Sequence, residues 1–571
     1  MQPNNKKLSV GTNKSPLALA ITAAITGFMA QPALALGDGV MCTAESTYTV
    51  TSSLGDTSDG TLRAAIVLAN ANADCSQIEF SNDVTSITLD APTTISEDLN
   101  IVGHGQDTLN ISTVSGNAIH ATRGNLHVSN LRVSDSPNAG IYQQYADLTV
   151  DNVLLDNNGY GIHADDAYDT VVRNSTITNS QYDSGIKFYN NATGSTLLID
   201  KSDISNNQAS GGGGGLYASI GSSADIKISD STFSANTSYG AGAGINISTS
   251  GDTAVLIEDS RIVGNGGNGQ GGDSGEGAGI YVNNSGTDIE FNINSSTIAN
   301  NLAGNNGGGI SIHNGGSATG NFTISQSTIS GNSASGSRGG GIYFDDSSSS
   351  PATLLTLLVE SSTVVNNIAG YNGGGIFHDG ANNDSVSIQN SVIAQNTANS
   401  GYMNLSGVFN SLEYSWVGDN NGDLAFATDP SYTNDPIQSV IEGDESILNL
   451  GDLADNGGAS QTHLPLTDSP LLESGNPNTD GIAAADQRGS DREVNTLDIG
   501  AVELNDTPNL DISQTSGVLT LDLGDTFNID ISAITTDTDV TIEVSDLPDW
   551  LIFDADTAHI SGVSAELGAL E

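Results

Sequence analysis

Between residues 130 and 396 the chain returns ten times to one short pattern, and no other property of the sequence limits its fold as strongly. The segments Asn-Leu-Arg-Val (130–133), Asn-Val-Leu-Leu (152–155) and Asn-Ser-Thr-Ile (174–177) set the frame. It continues through Ile204, Phe233, Ile262, Ile298, Ile329, Val364 and Ile393, with spacings of 22, 22, 27, 29, 29, 36, 31, 35 and 29 residues. A floor of 22 with variable excess describes a solenoid coil, in which short strands keep their length and the turns absorb insertions. The expected architecture is all-β, a parallel β-helix with its coils over residues 101–400.

Two further positions keep step with this frame. Three residues past the anchor stands asparagine in eight of ten coils: Asn158, Asn207, Asn236, Asn265, Asn301, Asn332, Asn367 and Asn396. Stacked at the strand spacing of about 4.8 Å, one amide donates to the next and accepts from the last. Such a ladder satisfies polar groups at a buried bend, a better account of these side chains than sugar binding. The other position is glycine before an aliphatic residue, as in Gly140-Ile141, Gly161-Ile162, Gly185-Ile186, Gly215-Leu216, Gly244-Ile245, Gly279-Ile280, Gly309-Ile310, Gly341-Ile342 and Gly375-Ile376. Stacked corners need positive φ and close backbone approach, which accounts for much of the chain's 68 glycines. No Lys-Ser/Thr follows these runs, so they are not phosphate-binding loops.

The N-terminus reads as an export signal over residues 1–35. Lys6, Lys7 and Lys14 precede the apolar run 17–30, and Ala33-Leu34-Ala35 supplies small residues for cleavage. Elsewhere no stretch approaches the twenty apolar residues of a membrane helix. Removing three lysines from 14 basic residues against 67 acidic ones leaves 11 − 67 = −56. That charge argues against nucleic acid or an anionic bilayer as a direct partner. In an oxidising compartment Cys42 and Cys75 are expected to pair, stabilising the fold by roughly 4 kcal/mol in the chain-entropy model. Between them, Leu62, Ala65, Ile66 and Ala69 follow helical spacing, so residues 36–100 read as an N-terminal cap holding one short helix.

The Leu-Arg-Ala-Ala-Ile-Val-Leu-Ala-Asn segment at 62–70, followed by these coils, resembles the cap of exported bacterial right-handed parallel β-helix proteins. Ser-Thr-Ile-Ser-Gly-Asn (327–332) with Gly-Gly-Gly-Ile-Tyr (339–343) is similar to the repeats of polymorphic outer-membrane proteins. Residues 453–458 (Leu-Ala-Asp-Asn-Gly-Gly), Asp468-Ser469-Pro470, 485–489 (Ala-Asp-Gln-Arg-Gly) and 498–503 (Asp-Ile-Gly-Ala-Val-Glu) resemble their closing segment, here 401–504. The cap departs from the family's Cys-Ser-Leu-Arg-Glu-Ala, reading Gly60-Thr61-Leu62-Arg63-Ala64-Ala65. The resemblance implies a right-handed parallel β-helix that is secreted or displayed on a bacterial surface, and it implies no particular activity. Residues 505–571, with Asp546-Leu547-Pro548-Asp549-Trp550, resemble part of a bacterial surface immunoglobulin-like domain. Such a domain needs a further strand, so the chain is expected to be a fragment.

Alternation along each strand lets the outward positions be read. One residue past each Gly-aliphatic pair come Tyr142, His163, Lys187, Tyr217, Asn246, Tyr281, Ser311, Tyr343 and Phe377. Two further on come Gln144, Asp165, Tyr189, Ser219, Ser248, Asn283, His313, Asp345 and Asp379. These rows form one outer face about 40 Å long. Tyr142, Tyr217, Tyr281, Tyr343, Phe377 and Tyr189, with His313 and Asp345, suit sugar stacking and hydroxyl recognition; alternatively they only stabilise an exposed sheet. The expected partner is an extracellular polysaccharide or a host or neighbouring cell surface, bound without catalysis as in adhesion.

The competing class is a polysaccharide lyase or hydrolase using the groove near His163, Asp165 and Lys187. A hydrolase needs two carboxylates about 5–9.5 Å apart. Asp165 and Asp166 are adjacent but alternate, and Asp345 lies several coils from Asp165. His104, in Gly103-His104-Gly105, reads as part of a turn. Calcium is the one cofactor the composition allows, through Asp165-Asp166, Asp345-Asp346 or Asp537-Thr538-Asp539. The glycine-rich stretch 266–273 reads as an inserted loop.

Overall fold

The computed structural model describes residues 41–266, 275–286, 288–315, 319–346, 355–379, 384–419, 445–477, 482–492 and 496–504, with short strands at 437–438, 441–442 and between 519 and 570. The leader, most of the 266–273 insertion, Asp537 and Asp539 lie outside the described residues.

Each coil lays down three short strands, one on each of three faces. One coil runs from Ser195–Asp200 (first face) to Asp203–Ser205 (second) and Leu216–Ile220 (third). Its neighbour repeats this with Ala224–Ser229, Thr232–Ser234 and Ile245–Thr249, and all three pairings are parallel. The anchors stack without a slip: Val133, Leu155, Ile177, Ile204, Phe233, Ile262, Ile298, Ile329, Val364 and Ile393 are successive register partners. Each is fully buried, and together with the inward residues of the other faces they form one continuous apolar core. A strand shifted by one residue would turn that whole row to solvent, so burial fixes the register.

The stack is longer than 101–400 at both ends. Ser46–Val50 already pairs in parallel with Ser76–Phe80, and the last rungs are Ile437–Gln438 and Ile441–Glu442. These outer coils lack the asparagine and Gly-aliphatic positions, so the repeat is not visible there in the sequence. The cap helix spans Leu62–Asn70 and buries Leu62, Ala65, Ile66 and Ala69. Thr61 is its N-cap, its hydroxyl accepting from the Ala64 amide at 3.2 Å. Cys42 and Cys75 are disulfide-bonded beside it.

Two polar ladders hold the corners. From Asn207 through Asn236, Asn265, Asn301, Asn332, Asn367 and Asn396 to Asn404, each side-chain amide donates to the next oxygen at 2.9–3.0 Å. Asn158 stands apart from this run, because the coil between it and Asn207 carries Ser180, whose backbone N–H donates to Asn207. The second ladder joins serines at the bend before each anchor: Ser175, Ser202, Ser231, Ser260, Ser296, Ser327, Ser362, Ser391 and Ser415. Each backbone N–H donates to the next hydroxyl at 3.1–3.2 Å. The glycine runs divide their work. Gly213 holds φ +70°, whereas a Cβ on Gly215 would meet the Gly244 carbonyl at 2.6 Å.

The described residues of the closing segment, 445–477, 482–492 and 496–504, lie along the outer side of the second face, so this segment straps the stack laterally besides following its last coil. Ala501 N–H donates to Thr363, Thr328 donates to Gln487 at 2.6 Å, Thr297 donates to the Gln461 carbonyl, and Arg261 reaches the Gln461 side chain. The buried pairs Arg488–Asp486 (3.0 Å) and Arg492–Glu503 (3.1 Å) hold the strap together. Described strands beyond it are antiparallel, such as Thr526–Asp530 and Leu551–Asp554 against His559–Val563. No helix among the described residues is long and apolar enough to cross a membrane.

Candidate functional site

The third face is a sheet of twelve parallel strands. Its outward rows stand in register as the alternation requires. Tyr142, His163, Lys187, Tyr217, Asn246, Tyr281, Ser311, Tyr343 and Phe377 are successive partners, and His120 precedes them. Gln144, Asp165, Tyr189, Ser219, Ser248, Asn283, His313 and Asp345 form the second row. Asp379 lies just past the strand Ile376–His378. Side chains gather into clusters at the two ends of the face, and the middle is small and polar, with Asn246, Ser248 and Ser219.

At the first end Asp165 accepts from the Tyr142 hydroxyl at 3.0 Å and from the Gln144 amide at 2.9 Å. Burial and that bond raise the Tyr142 pKa to about 12. His163 lies edge-on to Tyr142 and stacked on Tyr160, with ring centroids 5.1 and 5.4 Å apart. Burial lowers its pKa, the Lys187 charge adds to this, and it stands neutral. Lys187 pairs with Asp183 at 3.2 Å and lies between the rings of Tyr160 and Tyr217. Asp166 turns away at φ +51° and accepts from the Asn191 N–H at 2.8 Å. The adjacent carboxylates Asp165 and Asp166 therefore serve different partners.

At the second end His313 is clamped. Its Nε2 meets Glu276 at 2.6 Å and Ser311 at 3.0 Å, and its Nδ1 meets Asp345 at 3.4 Å. Burial works against the charged ring, yet the hydrogen bonds and charges of Asp345 and Glu276 outweigh it and raise its pKa to about 9. A histidine protonated on both nitrogens is no general base near neutral pH, and Ser311 beside it is fully buried, so this cluster is not a nucleophile–base pair. Tyr281 and Tyr343 flank the imidazole at 5.4 Å each. Tyr343 and Phe377 stack at 5.4 Å and 3°, and Arg338 lies over Phe377. Both rings are only 6% exposed, so their faces meet each other and are not open to a sugar. Among the described residues the open tyrosine rings are Tyr189 (41%), Tyr239 (49%), Tyr145 (50%), Tyr168 (54%), Tyr371 (55%) and Tyr182 (64%), and of these Tyr189 stands on a third-face strand.

Reading alternate strand positions misses Glu276, Arg338, Asp183 and Tyr160, because all four lie in or beside the turns before the Gly-aliphatic pairs. Their shared offset of one to three residues before the glycine is the signal that would find them. His104 pins its turn through Thr108 and the Val84 carbonyl, away from the third face. Among the described residues no three His, Cys, Asp or Glu side chains converge to hold a metal ion. Nothing is described of the Asp346 side chain.

The family described as the right handed beta helix region matches residues 38–212 and 117–295. The chain is a right-handed parallel β-helix. Among solved structures, a mannuronic acid specific polysaccharide family 6 lyase from human gut microbiota is similar at 11% identity and a TM-score of 0.28. That likeness covers 70% of this chain and 92% of the lyase chain. No curated protein matches the β-helix sequence.

Proposed function

We propose that this β-helix is an exported, noncatalytic carbohydrate-binding protein acting in adhesion through the first end of its third face. One observation carries the reading: the open ring of Tyr189 is the strand neighbour of Asp165, which Gln144 bonds, on one unbroken parallel sheet. Rings offer apolar faces to sugar C–H groups, and the amide and carboxylate take the hydroxyls. A rigid solenoid holds that geometry over several coils, which suits an extended chain rather than a small ligand. Glycan-array retention without turnover, weakened by Tyr189→Ala and Tyr217→Ala, is the expected result. An array with no retained glycan sinks the reading.

His163 supports a second reading. It makes ring contacts but no hydrogen bond among the described residues, and its neutral imidazole beside Lys187 fits a general base of a polysaccharide lyase or hydrolase. New reducing ends or unsaturated-uronate absorbance from a polysaccharide panel, abolished in His163→Gln, would put this reading in place of the first.

A further inference from the structure

We infer that the ligand of the third face carries free amines, the chemical class being a hexosamine polymer with unacetylated amino groups. This rests on the carbohydrate-binding reading above and narrows it. At the first end Asp165 and Asp183 stand against one cation, Lys187, which Asp183 already engages. The two hydrogen bonds reaching the Asp165 side chain come from a neutral hydroxyl and a neutral amide. These partners orient the carboxylate without cancelling its charge. His120 and His163 add no charge to offset it, because burial lowers both pKa values.

Beside this surplus Tyr189, the strand neighbour of Asp165, is 41% exposed. A carboxylate next to an open aromatic ring attracts an ammonium group twice, by its charge and through the ring quadrupole. A uronate meets the opposite field, and the chain as a whole, at −53, repels it further. A neutral sugar gains the stacking alone. An amino sugar places its ring on tyrosine and its ammonium on Asp165.

Titration calorimetry near neutral pH tests this with three probes: a glucosamine hexamer, an N-acetylglucosamine hexamer and a galacturonate hexamer. The glucosamine hexamer is expected to bind about tenfold more tightly than the acetylated one, and to weaken as salt rises. Asp165→Asn should cost about tenfold, whereas Asp225→Asn, on the first face, should change nothing. Equal binding of acetylated and free hexamers, or preference for the uronate, overturns the amine proposal and leaves a carbohydrate face standing. Unchanged affinity in Asp165→Asn also overturns it, since the attraction would then belong to the net charge. Failure of every hexamer, together with an empty glycan array, removes the underlying reading itself.

Discussion

His163 and His313 project from the same sheet of the same solenoid, and their surroundings give them opposite chemistry. His163 is neutral, partly buried and held by rings. His313 is charged and enclosed by Glu276, Asp345 and Ser311. The backbone is the same at both places, so the difference comes from the turns. A carboxylate at Glu276 closes over one imidazole, whereas the turn before His163 supplies Tyr160 and the next turn supplies Asp183, which pairs with Lys187 instead. The scaffold beneath differs in parallel. Under His313 the asparagine ladder is continuous and the strap lies along the second face; under His163 the ladder is broken at Ser180 and the contacts of the strap lie elsewhere. A repeat protein can thus vary the support beneath one continuous sheet from coil to coil.

The largest expected effect tests the ladders. Asn301→Ala strips partners from Ile262, Asn265 and Asn332, and should cost about 4 kcal/mol in urea unfolding. Asn158→Ala removes bonds only to Val133 and Ser136, and should cost about 2 kcal/mol. Equal losses would erase the distinction between the two ends.

Next comes pH. The His313 pKa rises from 6.5 to about 9 on folding. Its stabilisation is therefore fully present below pH 6.5 and lost as pH climbs through about 9, by up to about 3 kcal/mol. Thermal unfolding followed from pH 6 to 10 should show that fall in the wild type, flattened in His313→Gln. An unchanged slope in the variant would place the titrating group elsewhere.

Gln487→Ala should cost about 2 kcal/mol, because its side chain bonds Ser296, Thr297 and Thr328 at once. Hydrogen exchange should quicken in strands 297–299 and 328–330 while strands 154–205 keep their protection. Uniform quickening would mean that the strap stabilises the whole stack. The smallest effect is expected from His163→Gln, within about 0.5 kcal/mol, since no buried hydrogen bond is lost. Nuclear magnetic resonance titration of both histidines sharpens the contrast: His163 below its usual value, His313 well above.

Much of the scaffold was legible because a solenoid writes its register into the sequence. Asn207 to Asn396 and the Gly-aliphatic pairs recur in phase, and each contacts its own counterpart one coil away. The serine ladder was legible in principle, in the Ser two residues before each anchor from Ile177 to Ile393, yet a residue that looks like ordinary strand polarity does not announce burial. The functional face was half legible. Alternation placed Tyr142, Asp165, His313 and Asp345 in their rows, but it implied open rings at Tyr343 and Phe377, which instead cover one another. It was silent on Glu276, which stands in the turn before Gly279-Ile280 and so outside the strand alternation.

The sequence by itself determined the number of central coils, their register, the asparagine ladder and the pairing of Cys42 with Cys75. In each of the first three, a residue meets its equivalent in the next coil, so a one-dimensional period contains the contact. The tertiary structure alone decided which carboxylates reach which histidine and where residues 445–504 lie. Those contacts join unlike residues, up to 200 positions apart in the case of Arg261 and Gln461. Turn geometry and packing set them, and no periodicity records either.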